Sequence, residues 1–251
     1  MSAAHGSPAP RALLLDLDGT LYPLGIVRRR MAIELLAGWA AGGLRGAPFR
    51  GAQTIRRLKV FRAMREAMRS LGRGEELLRD LQYSLPAQTM GMEAQELEAL
   101  VVEWMHERPL KHLRGLHLPN LRPFLVSARE AGARLGVFSD YSPTAKLEAL
   151  GVRDLLDLEL AATDVEINAF KPHPAGFLRA CDEWGLAPQE VMFVGDRDEL
   201  DGEGARAAGM GVCILAPGAP GVTTPAANGI PDWVLPDLGS LASALGWPVE
   251  L

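Results

Sequence analysis

The sequence from Ala12 to Thr20 reads Ala-Leu-Leu-Leu-Asp-Leu-Asp-Gly-Thr and places a short apolar run directly before two aspartates. A continuous apolar run of this length is typical of a β-strand that is buried on both faces of a sheet. The Asp-Gly pair that follows favours a turn. The stretch therefore predicts a buried strand that delivers Asp16 and Asp18 at its carboxyl end.

Similar apolar runs recur along the chain and are separated by helical patterns. The runs are Leu135–Phe138, Val191–Val194 and Val212–Leu215. The helical patterns are Leu121–Ala131, Pro143–Leu150, Ala175–Trp184 and Asp201–Ala208. A further short strand at Leu158–Ala161, an edge strand at Trp233–Leu235 and a last helix at Leu238–Leu245 complete the pattern. Strands that alternate with helices predict an α/β fold with a doubly wound parallel sheet.

The interval between Leu15 and Leu135 is too long for a single crossover connection. Its periodicity is helical over Val27–Trp39, Gln53–Leu71, Glu75–Leu81 and Ala94–His106. We therefore expect an α/β core from residues 1–21 and 116–251, and a helical module inserted at 22–115. This module has 16 basic and 10 acidic residues. Its charge predicts either solvated helix faces or attraction for anionic ligands.

Composition narrows the class of protein. The net charge of -5 provides no general attraction for nucleic acid. The two cysteines, Cys181 and Cys213, lie in apolar segments without metal-ligand spacing, which argues against a disulfide framework. The apolar stretch Met31–Leu44 is shorter than the roughly 20 residues that span a bilayer. The first eleven residues lack a signal-peptide run and predict a loose tail. We expect a soluble, cytoplasmic protein with no membrane or nucleic-acid partner and with an oligomeric state that the sequence does not indicate.

Polar residues follow nearly every predicted strand. Open parallel sheets bind ligands outside the carboxyl ends of their strands. The residues at those ends are Asp16, Asp18, Gly19, Ser139, Asp140, Lys171, Asp196 and Asp201. Each alone is also compatible with a turn, a helix cap or a solvated side chain. Together the carboxylates would repel, because two unit charges about 4 Å apart cost about 4 kcal/mol at an effective dielectric near 20. A hard cation with open positions, most simply Mg²⁺, removes this penalty.

These residues carry a resemblance to a known family. Asp16–Thr20, Phe138–Asp140, Lys171–Pro172 and Gly195–Asp196 with Asp201 resemble the four ordered motifs of the haloacid dehalogenase superfamily. The resemblance extends from Ala12 to about Leu245. It implies a Rossmann-like core, a Mg²⁺ cofactor and a mobile helical cap, which would be the module at 22–115.

The resemblance also implies roles for individual side chains. Asp16 would be the nucleophile that forms a phosphoryl-aspartate, and Asp18 would be the general acid and base. Ser139 and Lys171 would stabilise the transferring phosphoryl group, and Gly19 and Asp140 would contact the substrate. The metal would be held by Asp16, Asp18 through its backbone carbonyl, Asp196 and Asp201.

Asp18 favours the phosphatase branch, since dehalogenases of this superfamily lack an aspartate at that position. The expected function is hydrolysis of a small phosphorylated metabolite whose identity stays open. A phosphomutase, which also keeps both aspartates, is the first alternative. A non-catalytic protein that binds a phosphorylated ligand is the second.

A glycine-rich segment and several histidines also match patterns of other functional sites. Gly202–Ala207 matches a dinucleotide fingerprint, but it lies too far beyond Val194, and its small residues favour close packing of a helix on the sheet. His106, His112 and His117 lack the spacing of a zinc site. His173 is flanked by prolines and favours loop structure, although it could also lie beside the ligand.

Three successive arginines, Arg28, Arg29 and Arg30, follow the first motif. They span about 300° of a helix at 3.6 residues per turn, so at most one is expected to face a ligand. The alternative is that all three are solvated.

Overall fold

A single mostly parallel sheet forms the centre of the molecule. The computed structural model describes residues 9–44, 49–224 and 232–247. The strands are β1 (Ala12–Leu15), β2 (Arg134–Ser139), β3 (Leu158–Ala161), β4 (Val191–Gly195), β5 (Gly211–Leu215), β6 (Val222–Thr224) and β7 (Asp232–Leu235). Their order is β3-β2-β1-β4-β5-β7-β6, and only the β6–β7 pair is antiparallel. The predicted doubly wound α/β fold is confirmed.

Helices cover both faces of the sheet. They are α1 (Leu24–Leu44), α2 (Phe49–Met68), α3 (Leu78–Met90), α4 (Ala94–Val101), α5 (Leu121–Glu130), α6 (Thr144–Leu150), α7 (Ala175–Trp184), α8 (Glu203–Ala208) and α9 (Leu238–Leu245). Alternate residues of β1 point to opposite sides: Leu13 and Leu15 pack with α5, α6 and α9, whereas Leu14 packs with α7 and α8. Burial on both faces explains why the strand is apolar at every position.

Helices α1 to α4 lie between β1 and β2, as the helical periodicity predicts. A small core of their own joins α2, α3 and α4 and consists of Leu58, Phe61, Ala87, Leu97 and Val101. The Leu118 N–H donates to the Leu21 carbonyl at 2.9 Å, so the chain leaves and re-enters the core at one place. The exact domain limits, 22 and 115, stay predictions.

The inserted helices are also attached to the core midway along their length. Asn168, in the loop after β3, accepts a hydrogen bond from the Leu78 N–H at 2.6 Å. Its amide group donates to the carbonyls of Gly74 and Glu76 at 3.1 and 2.9 Å. The connection between α2 and α3 is therefore fixed to the α/β core.

Several predicted boundaries differ from the structure. The strand at Trp233–Leu235 was expected at the edge, but β6 pairs outside it. Helix α3 begins and ends later than Glu75–Leu81 and continues through Pro86. The helix predicted over Ala94–His106 ends at Val101, and wider π-helical turns follow over Val102–Glu107.

Three further expectations concern the N-terminal tail, membrane-spanning helices and the two cysteines. The predicted tail falls mostly outside the described residues, and its last residue, Arg11, already pairs with Glu190 and Arg134 through its backbone. Within the described ranges, no helix combines the length and apolarity that crossing a membrane requires. Cys181 and Cys213 are both buried free thiols.

Candidate active site

The carboxyl ends of β1, β2 and β4 bring the predicted residues together at one edge of the sheet. β1 pairs in parallel with β2 on one side and with β4 on the other. Asp16, Ser139 and Asp196 therefore lie at the carboxyl ends of three adjacent strands. The backbone N–H of Asp16 donates to the Val194 carbonyl at 2.8 Å, which continues the ladder one residue beyond β1. The fold thus positions the first aspartate rigidly.

Lys171 lies at the centre of the charged cluster. Its Nζ is 2.6 Å from Asp16 Oδ1 and 2.7 Å from Asp201 Oδ1, and its side chain is 3% exposed. Burial alone would lower the pKa of Lys171, but the two carboxylates outweigh it and raise the pKa. Burial raises the pKa of Asp16 to about 7, against the opposing charge of Lys171 and with added repulsion from Asp201. One lysine therefore serves two buried acids, which leaves excess negative charge.

A cation would relieve this excess. Carboxylate oxygens of Asp16, Asp196 and Asp201 lie within 4.8 Å of one another, the one such group of metal-ligand side chains found among the described residues. Burial, followed by the charge of Asp201, raises the pKa of Asp196 to about 6. A cluster of three carboxylates that offers only oxygen ligands is the donor chemistry that suits Mg²⁺. The residues present fit the predicted metal.

Gly19 and Asp201 shape this group from below. Gly19 has φ +118°, and a Cβ placed there would be 2.2 Å from Asp196 Oδ2, so only glycine allows this carboxylate its position. Asp201 Oδ2 accepts the N–H groups of Asp196 and Arg197 at 3.2 and 3.1 Å. Its other oxygen, Oδ1, accepts a hydrogen bond from Lys171. Asp201 therefore holds the loop after β4 through one oxygen and adds negative charge beside Lys171 through the other.

Asp18 is held by partners that the sequence motifs did not indicate. Lys146, on α6, donates to its two oxygens at 2.6 and 2.8 Å, and the Tyr22 hydroxyl donates to Oδ1. Burial alone would raise the pKa of Asp18, but Lys146 and Tyr22 outweigh it and lower the pKa. The carboxylate of Asp18 is therefore ionised and fixed in orientation.

Ser139 and Asp140 occupy different environments. Ser139 is 1% exposed, lies at the bottom of the cavity described below, and accepts the Tyr141 N–H at 3.3 Å. Asp140 Oδ1 accepts the Lys171 N–H at 3.3 Å, and Oδ2 is 2.6 Å from Arg69 Nη2. Burial would raise the pKa of Asp140, but Arg65 and Arg69 lower it. Both oxygens of Asp140 are thus engaged within the protein, although the residue still lines the cavity.

Two arginines, Arg65 in the last turn of α2 and Arg69 directly after it, connect the inserted helices to the core. Arg65 donates to the Asp140 carbonyl at 2.6 Å, and Arg69 donates to the Lys171 carbonyl at 2.6 Å. The Arg65 guanidinium also lies 3.6 Å from the centroid of the Tyr141 ring. A signal existed in the sequence, since Arg65 interrupts the apolar stripe of α2 at a position where a buried residue is expected.

The competing patterns have structural explanations. A Cβ at Gly204 would be 2.4 Å from Phe177 Cε2, so this glycine allows α8 to pack closely on α7 rather than on the sheet. His112 Nε2 lies 2.5 Å from Glu34 Oε1. His106 is stacked edge-on against Tyr141, with ring centroids 5.0 Å apart. His173 Nδ1 accepts the Ala175 N–H at 3.2 Å, as expected for loop structure.

Comparison with known proteins supports the motif assignment. The chain is 26% identical over 204 residues to a glyceraldehyde 3-phosphate phosphatase of Methanopyrus kandleri, covering 80% of this chain and 81% of that protein. It is 33% identical over 131 residues to a phosphoglycolate phosphatase of Pasteurella multocida, covering only 51% of this chain and 56% of the relative. The crystal structure of a HAD phosphatase from Thermococcus onnurineus shares the fold, with a TM-score of 0.61 and 21% identity over 96% of this chain and 100% of that chain. The family profile of haloacid dehalogenase-like hydrolases matches residues 10–209, and the chain belongs to that family.

Proposed function

We propose that this hydrolase is a Mg²⁺-dependent phosphatase that cleaves a small phosphate monoester through a phosphoryl group on Asp16. The observation that supports this most directly is the pairing of two aspartates with different partners. Asp16 shares Lys171 with a second buried carboxylate, that of Asp201, whereas Asp18 is paired with Lys146. Two acids in different environments are what a nucleophile and a proton carrier require. The similarity to phosphatases acting on glyceraldehyde 3-phosphate and phosphoglycolate agrees with this reaction class.

In the first step, a carboxylate oxygen of Asp16 attacks phosphorus. A bond forms between Asp16 and phosphorus and the bond to the leaving oxygen breaks. Asp18, which is ionised in the free protein, would take up a proton when the substrate binds and supply it to the departing alcohol. In the second step, water attacks the phosphoryl-aspartate and gives its proton to Asp18. Inorganic phosphate is released and Asp16 is regenerated.

The remaining residues stabilise charge. Lys171 and Ser139 line the cavity together with Asp16 and would stabilise the equatorial oxygens of the phosphoryl group. Asp16, Asp196 and the Asp18 carbonyl would hold Mg²⁺, with Asp201 supporting them. A bound Mg²⁺ would offset the negative charge of both the carboxylates and the phosphoryl group. The inserted helices would act as the cap that covers the reacting groups.

Hydrolysis of phenyl phosphate tests the proposal. We expect turnover with Mg²⁺, loss of turnover after chelation, and poor recovery with Ca²⁺, which accepts more oxygen ligands in looser geometry. Mass spectrometry after rapid denaturation should find one phosphoryl group on the peptide that contains Asp16.

Three outcomes would contradict parts of the proposal. Full activity in chelator would refute the metal, and turnover without a phosphorylated peptide would refute the covalent step. Isomerisation of a sugar phosphate without phosphate release would instead identify a phosphomutase.

A further inference from the structure

A cavity of about 530 Å³ opens above the catalytic residues and extends between the inserted helices. We call Asp16, Asp18, Ser139, Lys171, Asp196 and Asp201 the floor of this cavity. Its sides are formed by α1, by α2 and by the turns that follow α4. A bound phosphoryl group would occupy only the floor, so most of the volume faces the leaving portion of the substrate.

The sides of the cavity carry an apolar wall. Leu24, Val27, Met31 and Leu35 recur at three- and four-residue intervals, which places them on one face of α1. Leu58 of α2 and Trp104 also line the cavity. Val27, Met31 and Leu58 are 4%, 8% and 4% exposed, so the wall is packed into the insert and offers a fixed surface. Leu24, Leu35 and Trp104 are only half-buried, and a two- or three-carbon phosphate would leave their apolar surface in contact with water, which is unfavourable.

Two arginines with no described ion pair or hydrogen bond also line the cavity, Arg28 from α1 and Arg62 from α2. Both are exposed. Arg28 directly follows Val27 and lies one turn before Met31, both of which line the cavity. Arg62 lies one turn before Arg65, about 4.5 Å along the helix axis at 1.5 Å per residue.

Arg65, Arg69 and Glu66 are different, because each already has a partner in the protein, whereas Lys59 is a further exposed cation that lines the cavity with no described ion pair. Arg65 and Arg69 bind the Asp140 loop, and the Glu66 carboxylate pairs with Arg69. Of the three successive arginines, Arg28 lines the cavity, whereas Arg30 donates to the His112 carbonyl at 3.3 Å. Arg28 and Arg62 are therefore cations available to a ligand.

We infer that the natural substrate is a phosphate monoester whose leaving portion has an apolar skeleton of more than three carbons and a second anionic group, bound by Arg28 and Arg62. This inference rests on the proposed phosphatase activity. The apolar wall would hold the skeleton, and the guanidinium groups would hold a carboxylate or second phosphate, for which arginine offers paired donors.

The anionic group is tested with 4-carboxyphenyl phosphate and phenyl phosphate, which differ only in the carboxylate. We expect the ratio of their kcat/KM values to fall about tenfold in Arg28→Ala and in Arg62→Ala, or about 1.4 kcal/mol. Arg29→Ala and Arg56→Ala are matched controls, because both side chains are exposed on the same two helices and neither lines the cavity. An unchanged ratio in the first two variants, or an equal fall in the controls, overturns the anion site.

The apolar wall is tested with methyl, propyl and hexyl phosphate. In the wild type, kcat/KM should rise with chain length, because each buried methylene group contributes about 0.8 kcal/mol at most. Met31→Ser should flatten the rise, whereas Ile33→Ser, on the same helix but 59% exposed and outside the cavity, should not. A flat or falling series in the wild type overturns the apolar skeleton.

Binding to Asp16→Asn separates this inference from the proposed function. Calorimetry should give tighter binding of 4-carboxyphenyl phosphate than of phenyl phosphate, and Arg62→Ala should remove the difference. If this holds while no phosphate ester is hydrolysed, the phosphatase proposal fails and the binding site stands. If phosphoglycolate is hydrolysed more efficiently than every larger probe, the phosphatase proposal stands and the inferred substrate class fails.

Discussion

The floor of the cavity and its wall are built from opposite kinds of contact. On the floor, Asp16, Asp18 and Asp201 each contact a lysine, and those lysines are nearly fully buried. On the wall, apolar side chains surround two arginines that no carboxylate in the described chain neutralises. On the floor, the carboxylates of Asp16, Asp18 and Asp201 are paired with lysines of the protein, and a cation would offset the negative charge that remains. The wall leaves two arginines without a described ion pair, so under our proposals the reaction and the selection of the substrate would belong to separate parts of the molecule.

Removing the nucleophile from the floor should have the largest effect. Asp16→Asn is expected to reduce kcat by about 10⁴-fold or more, or about 5.5 kcal/mol, because an amide cannot form the phosphoryl intermediate. The melting temperature should stay close to that of the wild type, since the substitution also reduces repulsion with Asp201. Phosphate release and thermal melting are measured together, with the exposed Asp182→Asn as control. Appreciable residual turnover would contradict the assignment.

Lys146→Met tests whether the floor extends beyond the family motifs. We expect kcat to fall roughly 100-fold with little change in KM, because Asp18 loses the two hydrogen bonds that orient it for proton transfer. Lys146 lowers the pKa of Asp18, so its removal should raise that pKa and move the limb of the kcat profile that reports Asp18 to higher pH. Lys146→Arg should restore part of the activity.

A matched control for this variant is Lys111→Met, which removes a surface ammonium paired with Glu34. It should leave both kcat and the pH profile unchanged. If Lys146→Met does the same, Lys146 is a packing residue and not a positioning residue.

His106, whose ring packs edge-on against Tyr141, should couple folding stability to pH. Burial, with the charges of Lys146 and Arg65, lowers the pKa of His106 from 6.5 to about 4. As the pH falls, His106 is therefore protonated in the unfolded chain before it is protonated in the folded protein. The free energy of unfolding decreases as the pH falls from about 6.5 towards about 4. His106→Leu should remove about 2 kcal/mol of the decrease in unfolding free energy between about pH 7 and about pH 5.

Urea denaturation at the two pH values measures this change. His117→Leu removes an exposed histidine and should leave the decrease as it is in the wild type. An equal decrease in the wild type and in His106→Leu would show that His106 is not the group responsible.

The smallest expected effect comes from removing the contacts of Arg69 with Asp140 and with the Lys171 carbonyl. Arg69→Met should lower kcat/KM about tenfold, because Asp140 and the Lys171 carbonyl lose the guanidinium that joins them to α2. Arg79→Met, on α3, removes an exposed arginine with no contact to that loop and serves as control. Equal activity in both variants would mean that Arg69 only fills space between α2 and the core.

Sequence reasoning recovers the floor well because its geometry follows from a general rule. Parallel strands end at one sheet edge, so residues as distant as Asp16 and Asp196 could be placed together without coordinates. Lys146 was missed because its contact with Asp18 spans 128 residues and it belongs to no motif. It lies four residues before the buried Leu150 on α6, and a lysine on that face is the available signal.

The wall is harder to read from sequence. Which face of α1 meets α2 depends on packing between helices, and the apolar residues of α1 do not form a single clear stripe. The prediction that at most one of the three successive arginines faces a ligand followed from helical geometry, whereas the identity of Arg28 required the structure. Arg62 has no such signal, since nothing in the sequence around it distinguishes it from Arg56.

The hydrogen bonds of Asn168 have a consequence for protein engineering. They fix the chain at Leu78, and the chain is fixed again at Leu113, which is buried in the core of the sheet. The segment 79–112 is therefore a cassette with both ends anchored to the scaffold. We expect that it can be exchanged between relatives without moving α1 or α2, provided that the replacement preserves the packing against Leu58 and Phe61 and the contacts of Lys111 and His112 with Glu34.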